Sequence, residues 1–134
     1  MTITHLNPPS MHSSLAFSQG TIVPAGARML YVGGQNGVGP DGNVVADTLQ
    51  GQTEQALRNV ITVLAEAGAT QSDVAKLTIH LAEGGDVNAG FAASLAVWGA
   101  NPTAITVVQV PSFSNPEFLV EIDAVAALPT EPAA

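Results

Sequence analysis

Alternation of apolar and polar positions predicts a β-strand at residues 74–81. One face of that strand carries aliphatic side chains and the other carries polar ones: Leu77, Ile79 and Leu81 oppose Lys76, Thr78 and His80. Runs rich in apolar and β-branched residues predict two more strands, at 101–110 and 118–127. Two shorter runs, 15–23 and 28–33, are separated by a Pro-Ala-Gly turn and predict a pair of strands near the N-terminus.

Apolar positions three and four residues apart predict two helices. The first spans 49–67, and its apolar side chains form one stripe: Ala56, Leu57, Val60, Ile61, Leu64 and Ala65. Asp47 or Thr48 can cap its start, and Gly68 follows its end. The second helix begins after an Asp86 cap and ends near residue 98. Its predicted core stripe consists of Phe91, Leu95 and Trp98.

The order strand, strand, helix, strand, helix, strand, strand predicts an α+β sandwich, with both helices on one face of a mixed sheet. No helix remains for the opposite face, which carries Thr78 and His80. Because 46% of the residues are hydrophobic and only 10% are charged, we expect a second copy of the chain to cover that face. Residues 15–128 are assigned to this single domain, 1–14 to a loose N-terminal arm and 129–134 to a C-terminal tail.

Charge and composition argue against several classes of function. The net charge is −8, and three permanent cations (Arg28, Arg58 and Lys76) are too few to neutralise nucleic-acid phosphates or to attract an anionic membrane. The chain has no cysteine, which excludes thiol catalysis and disulfides. No run approaches the roughly 20 apolar residues of a membrane span, and the N-terminus does not look like a signal peptide. We therefore expect a cytoplasmic protein with no nucleic-acid or membrane partner.

Candidate chemistry centres on Glu121, a carboxylate inside an otherwise apolar strand. Alternation places Asp123 on the same face, and the 101–110 strand offers no cation to either acid. His80 is either an acid–base group or an ordinary sheet-face residue. The pair Gly33–Gly34 forms either a bulge or tight turn, or a place where a ligand or another backbone approaches closely. No metal site is expected, since two of the three histidines lie in the arm.

The chain resembles the RidA (YjgF-type) family in five runs, which occur in the right order within residues 15–127: 31–35, 52–60, 67–70, 73–76 and 120–126. The resemblance implies a chorismate-mutase-like α+β fold and a homotrimer with three pockets between its subunits. Well-characterised members hydrolyse reactive enamines and imines, such as 2-aminoacrylate and 2-iminopropionate, to a keto acid and ammonia. Others are described as ribonucleases or have no known activity. The family needs no metal and no organic cofactor, so we expect none here.

The pocket residues of the family are changed in this chain. A Pro-Ala-Arg motif, whose Arg binds the substrate carboxylate through parallel hydrogen bonds, is replaced by Pro-Thr-Ala-Ile at 102–105. The Arg aligns with Ile105, or with Ala104 when the alignment starts from the proline. Asn88 reaches the position of a pocket Asn only if the alignment is shifted. The other pocket positions differ as follows: Phe17 replaces a Tyr, Gly33 a hydroxyl residue, Phe91 the Asn and Val107 a Cys, while Gly34 and Glu121 are retained.

These changes predict a divergent member of the family. Glu121 is the candidate catalytic acid–base group. The candidate ligand-binding residues are Phe17, Gly33, Gly34, Phe91, Ile105 and Val107. Without the Arg, we expect the standard deaminase activity on 2-aminoacrylate and 2-iminopropionate to be weak or absent.

The sequence leaves two functions open, and it does not name the ligand. The first is hydrolysis of an enamine or imine that is not a simple amino-acid-derived carboxylate. The second is non-catalytic binding of a small molecule between subunits of a homotrimer. Ribonuclease activity ranks third because of the negative charge. Whether Arg28 or Arg58 of a neighbouring subunit replaces the missing Arg also stays open.

Overall fold

The computed structural model describes residues 3–129, so only Pro129 of the predicted tail lies within it. Six strands and two α-helices follow one another: β1 (Thr4–Leu6), β2 (Gly20–Ile22), β3 (Met29–Gln35), α1 (Leu49–Glu66), β4 (Val74–Ala82), α2 (Val87–Trp98), β5 (Ala104–Val110) and β6 (Val120–Ala127). A short 3₁₀ helix, Gln71–Asp73, precedes β4. Apart from β1, this is the order that the sequence predicts.

The main sheet has four strands in the order β3-β6-β4-β5. β6 pairs antiparallel with both β3 and β4, whereas β4 and β5 run parallel and are connected through α2. The predicted mixed sheet is therefore confirmed. The last strand in sequence lies in the middle of the sheet, and this position brings Glu121 beside β4.

The hydrophobic core lies between α1 and one face of the main sheet. Buried aliphatic side chains of α1 belong to one cluster with inward-facing residues of β4 and β6: Ala56, Leu57, Val60 and Leu64 join Leu77, Ile79, Leu81, Val120 and Ile122. The alternation predicted for β4 is confirmed, because its aliphatic residues are buried and its polar residues are partly exposed.

Side-chain and backbone caps set the ends of the helices. Of the two candidate caps for α1, Thr48 is the one used: its hydroxyl accepts from the backbone N–H of Gly51 at 3.1 Å. The Asp86 carboxylate caps α2 as predicted, accepting from the backbone N–H of Asn88 at 2.9 Å. Gly68 follows α1 with a φ of 76°, a left-handed conformation that glycine adopts without strain.

Gln52 ties α1 to the loop that precedes β6. Its side chain is buried, and its amide nitrogen donates to the carbonyl oxygens of Ala46 and Glu117, each at 2.9 Å. Its side-chain oxygen accepts from the backbone N–H of Leu119 at 2.8 Å. These three bonds fix the entry to β6, and hence the strand that carries Glu121.

The N-terminal region differs from the prediction. Only Gly20–Ile22 of the predicted strand 15–23 lies in a strand, and it pairs with β1, which falls in the segment expected to be a loose arm. Ser18 contacts the start of β5 instead, since its backbone N–H donates to the carbonyl oxygen of Thr103 at 2.9 Å. A ring nitrogen of His5 lies 2.8 Å from the Ser18 hydroxyl. These polar contacts hold the arm against the domain, and hydropathy patterns do not reveal them.

The face of the main sheet opposite α1 has no helix over it in the described part of the chain. Directly paired side chains form three rows across this uncovered face: Tyr31–Val125–Lys76, Asp123–Thr78–Thr106 and Glu121–His80–Val108. The Lys76 ammonium donates to the Thr106 hydroxyl at 2.6 Å. The face thus combines polar and apolar side chains, and Glu121 is one of them.

Candidate functional site

An apolar cleft with a volume of about 590 Å³ opens between α2 and the β4–β5 side of the sheet. Four of the predicted ligand-binding residues line it: Phe17, Phe91, Ile105 and Val107. Leu57, Leu77 and Ile79, all buried, also contribute to its walls. No charged residue is among the described residues that line it. The cleft therefore suits a neutral, largely apolar molecule and offers a carboxylate no charged partner.

The cleft exists because α2 packs against α1 and leaves part of the sheet uncovered. Phe91 and Leu95, which the sequence predicts to be core residues, are 49% and 55% exposed because they face the cleft. Trp98 is buried as predicted, and its indole N–H donates to the carbonyl oxygen of Asn101 at 3.3 Å. The core prediction for α2 is thus right for Trp98 and wrong for the other two residues.

Glu121 lies outside the cleft, on the uncovered face of the sheet. Its carboxylate sits against Gly34, where an added Cβ would stand 2.8 Å from Glu121 Cδ. The side-chain amide of Asn36 donates to the carbonyl oxygen of Val120 at 2.9 Å and lies 3.4 Å from Glu121 Oε1. The β3–β6 register shifts between residues 32 and 35. The glycine pair therefore forms an irregularity and also admits a close neighbour, the Glu121 side chain of the same chain.

His80 stands directly opposite Glu121 in the antiparallel β4–β6 pair. Its Nδ1 lies 3.3 Å from the backbone carbonyl oxygen of Glu121. Side chains of directly opposed residues share one face of the sheet. The imidazole contacts the backbone of Glu121, whereas the Glu121 carboxylate lies against Gly34 of β3. The sequence places His80 on the uncovered face but does not reveal its partner, because that pairing depends on β6 lying beside β4.

The three permanent cations lie away from the apolar cleft. The Lys76 ammonium bonds the Thr106 hydroxyl on the uncovered face. Arg58 is exposed on α1 and borders a separate hollow that also includes Gly34. Arg28 directly precedes β3. None of the three is among the residues that line the cleft, so no permanent cation of the same chain lines it.

The family model described as Endoribonuclease L-PSP matches residues 9–128. The chain belongs to this family. The resemblance to RidA and YjgF proteins is therefore confirmed. A RutC family protein of Pyrococcus horikoshii is 30% identical over 100 residues, which cover 74% of this chain and 79% of that protein. A RutC family protein of Pyrococcus abyssi is 29% identical over 100 residues, which cover 74% of this chain and 78% of that protein.

Solved structures of proteins similar to this family member share its fold. YyfB from Yersinia pestis, a Rid family protein of unknown function, has a TM-score of 0.85 at 31% identity, covering 96% of this chain and 100% of that chain. TdcF from E. coli, crystallised with bound serine, has a TM-score of 0.67 at 25% identity, covering 95% and 98% of the two chains. These likenesses confirm the predicted α+β fold.

No group of three or more His, Cys, Asp or Glu side chains between residues 3 and 129 is arranged to hold a metal ion. Within the same range, no helix is both long and apolar enough to cross a membrane.

Proposed function

We propose that this family member acts as a homotrimer in which the apolar cleft of one subunit faces Glu121 of the next. The observation that carries the proposal is the division of the predicted site into two halves. Phe17, Phe91, Ile105 and Val107 line the cleft, whereas Gly33, Gly34 and Glu121 lie at the uncovered face. A second copy packed on the uncovered face would join its own cleft to Glu121 and complete one pocket.

The exposed surface supports such an assembly. Tyr31 on the uncovered face is 75% exposed, and Val107 and Val108 on β5 are 48% and 41% exposed. β5 is also an edge strand of the main sheet, and exposed edges are usually covered or blocked in stable proteins. Apolar surface of this kind is typical of contacts between protein chains. A second subunit would bury the exposed apolar side chains and cover the edge of β5 at the same time.

We infer that the completed pocket hydrolyses enamines or imines with an apolar body and no carboxylate. Hydrolysis adds water across the C=N bond and then breaks the C–N bond, leaving a carbonyl compound and an amine or ammonia. Glu121 can hold the proton that the nitrogen needs and can orient the attacking water. The uncharged cleft accommodates the apolar body of the substrate.

A substrate carboxylate is disfavoured because Ile105, or Ala104 in the other alignment, stands where the family resemblance implies a carboxylate-binding Arg. A charged hydrogen bond contributes about 1.5–3 kcal/mol, so the absence of the Arg weakens carboxylate binding by about tenfold to a hundredfold. This is why the proposed substrate class excludes simple imines derived from amino acids.

Two imines that differ in charge test the proposal. An amino-acid oxidase generates 2-iminopropionate, and a flavin-dependent amine oxidase generates the imine of phenylacetaldehyde from 2-phenylethylamine. We expect the protein to accelerate the decay of the second and to leave the first near its rate in buffer, with semicarbazide trapping as the readout. Glu121→Gln should abolish the acceleration, whereas Glu117→Gln, at an exposed acid before β6, should not. Acceleration of 2-iminopropionate alone would contradict the proposal.

A non-catalytic, small-molecule-binding trimer is the second candidate, favoured by the absence of charged side chains among the described residues of the cleft. If it is correct, neither imine decays faster with the protein, while apolar molecules still bind. Ribonuclease activity, which the name of the family suggests, ranks third. Three Lys and Arg residues and a net charge of −8 give RNA phosphates little to bind, so we expect no cleavage of RNA.

A further inference from the structure

Thr53 of α1 is one of the residues that line the apolar cleft. The residue is only 1% exposed, and its Oγ1 has no hydrogen-bond partner among the described residues. Leu57, one turn further along α1, lines the same cleft. The hydroxyl is thus a single unpaired polar atom in an otherwise largely apolar environment.

Other hydroxyl and amide groups nearby are satisfied. Helical Ser and Thr side chains commonly donate to the carbonyl four residues earlier. Thr62 does so with Arg58 at 2.8 Å, and Ser94, also in the cleft, does so with Gly90 at 3.0 Å. Gln52, which precedes Thr53, makes three hydrogen bonds. Since buried polar groups are nearly always paired, the hydroxyl of Thr53 calls for a partner from outside the chain.

We propose that the cleft binds a neutral, largely apolar small molecule whose one polar group hydrogen-bonds to Thr53 Oγ1. The proposal deepens the proposed function, on which it rests for the nature of the substrate, by naming the residue that orients it. The volume of about 590 Å³ lies within the range of roughly 300–1,000 Å³ that small-molecule sites occupy. A hydroxyl can donate to a carbonyl oxygen or an imine nitrogen, and it can accept from an alcohol or an amine. It therefore suits a ligand whose polar group is either an acceptor or a donor.

Binding of two probes of the same shape tests the role of Thr53. 1-Naphthol carries a hydroxyl where 1-methylnaphthalene carries a methyl group. Trp98 is the single tryptophan of the chain and lines the cleft, so the NMR signal of its indole N–H reports binding of either probe. We expect the preference for 1-naphthol to be about three- to tenfold larger in the wild type than in Thr53→Val, which keeps the shape and removes the hydroxyl. Thr53→Ser should keep the preference.

The alternative occupants give different results. If the preference is the same in the wild type and in Thr53→Val, the hydroxyl bonds only an ordered water and the proposal is overturned. If neither probe moves the Trp98 signal in any variant, the cleft is filled by a partner subunit and the proposal is likewise wrong. Thr53→Val should unfold at the same temperature or higher, because it removes an unpaired buried hydroxyl; this shows that a changed preference does not come from misfolding.

The binding proposal and the proposed hydrolysis fail in distinguishable ways. Glu117→Gln, at an exposed acid that neither proposal uses, should retain the wild-type preference for 1-naphthol, because the preference depends on the hydroxyl of Thr53. If the preference is present but no imine is hydrolysed, the binding proposal stands and the proposed enzyme function fails. If imine hydrolysis is present but Thr53→Val leaves the preference unchanged, the proposed enzyme function stands and the binding proposal fails.

Discussion

Replacing Gly34 by alanine should displace the Glu121 carboxylate. The added Cβ would stand 2.8 Å from Glu121 Cδ and 2.9 Å from both Cγ and Oε2, closer than real Cβ atoms approach other heavy atoms. Gly34 is not among the glycines with a positive φ, so the backbone itself accepts alanine. The strain therefore falls on the Glu121 side chain, which has to rotate away.

The expected free-energy change at Gly34 is small because two effects oppose each other. A side chain forced off its preferred rotamer costs about 0.5–1.5 kcal/mol. Alanine in place of glycine stabilises by about 0.4–1 kcal/mol, because the unfolded chain loses freedom. At Gly33 an added Cβ meets nothing within 4 Å, so only the stabilisation that comes from the less flexible unfolded chain remains. Gly33→Ala should thus be more stable than Gly34→Ala by about 1 kcal/mol, or about 4 °C in Tm.

Thermal unfolding of the two alanine variants measures this difference. Adding Glu121→Ala to Gly34→Ala removes the clashing atoms, so the penalty at Gly34 should disappear in a double-mutant cycle. Gly37→Ala gives a reference for a clash that cannot relax, since its Cβ would stand 2.6 Å from the backbone Cα of Gln52. It should cost about 1–3 kcal/mol or more. Equal Tm values for Gly33→Ala and Gly34→Ala would refute the placement of Glu121 against Gly34.

Other substitutions test the supports of the site. Gln52→Ala should destabilise the protein by roughly 3 kcal/mol in urea unfolding, since it removes three hydrogen bonds of a buried side chain; an unchanged midpoint would contradict this. Ile105→Arg should accelerate 2-iminopropionate decay by about tenfold or more, and Ile105→Lys by less, because lysine lacks the planar fork. If neither variant accelerates the decay of 2-iminopropionate, the pocket differs from that of the deaminases at more positions than this one. The backbone N–H of Asn43, and then its side-chain amide, hold the pKa of Asp41 below its usual value. The resulting stabilisation is present above the usual aspartate pKa and is lost as the pH falls through the lowered value. The protection of the Asn43 amide, measured relative to its intrinsic exchange rate, should therefore fall only in acid; an unprotected amide at neutral pH would contradict this.

Features that depend on neighbouring residues in the chain could be predicted from the sequence. The 3.6-residue period and the caps predict both ends of α1 almost to the residue, since Thr48 and Gly68 flank the helix as expected. The two-residue period of β4 correctly separates its buried side chains from its exposed ones. Both signals come from backbone geometry over a few residues, which the tertiary fold does not need to supply.

Features that depend on strand order and packing could not be predicted. The two-residue period of β4 places His80 on the uncovered face, but Glu121 is 41 residues away and becomes its neighbour only because β6 inserts beside β4. Phe91 and Leu95 have the spacing of core residues, but the helix packs against α1 and leaves them at a cleft. The unpaired hydroxyl of Thr53 has no sequence signature at all, because it is defined by what surrounds it.

Cross-linking tests the central claim, that the site is divided between subunits, most directly. The chain has no cysteine, so Glu121→Cys and Val107→Cys introduce the only thiols. A subunit that carries both can be joined to two neighbours by a short bismaleimide, if the cleft of each faces residue 121 of the next. We predict covalent trimers from the double variant at low protein concentration, and no more than dimers from either single variant. A double variant that remains monomeric under the same conditions would contradict the account.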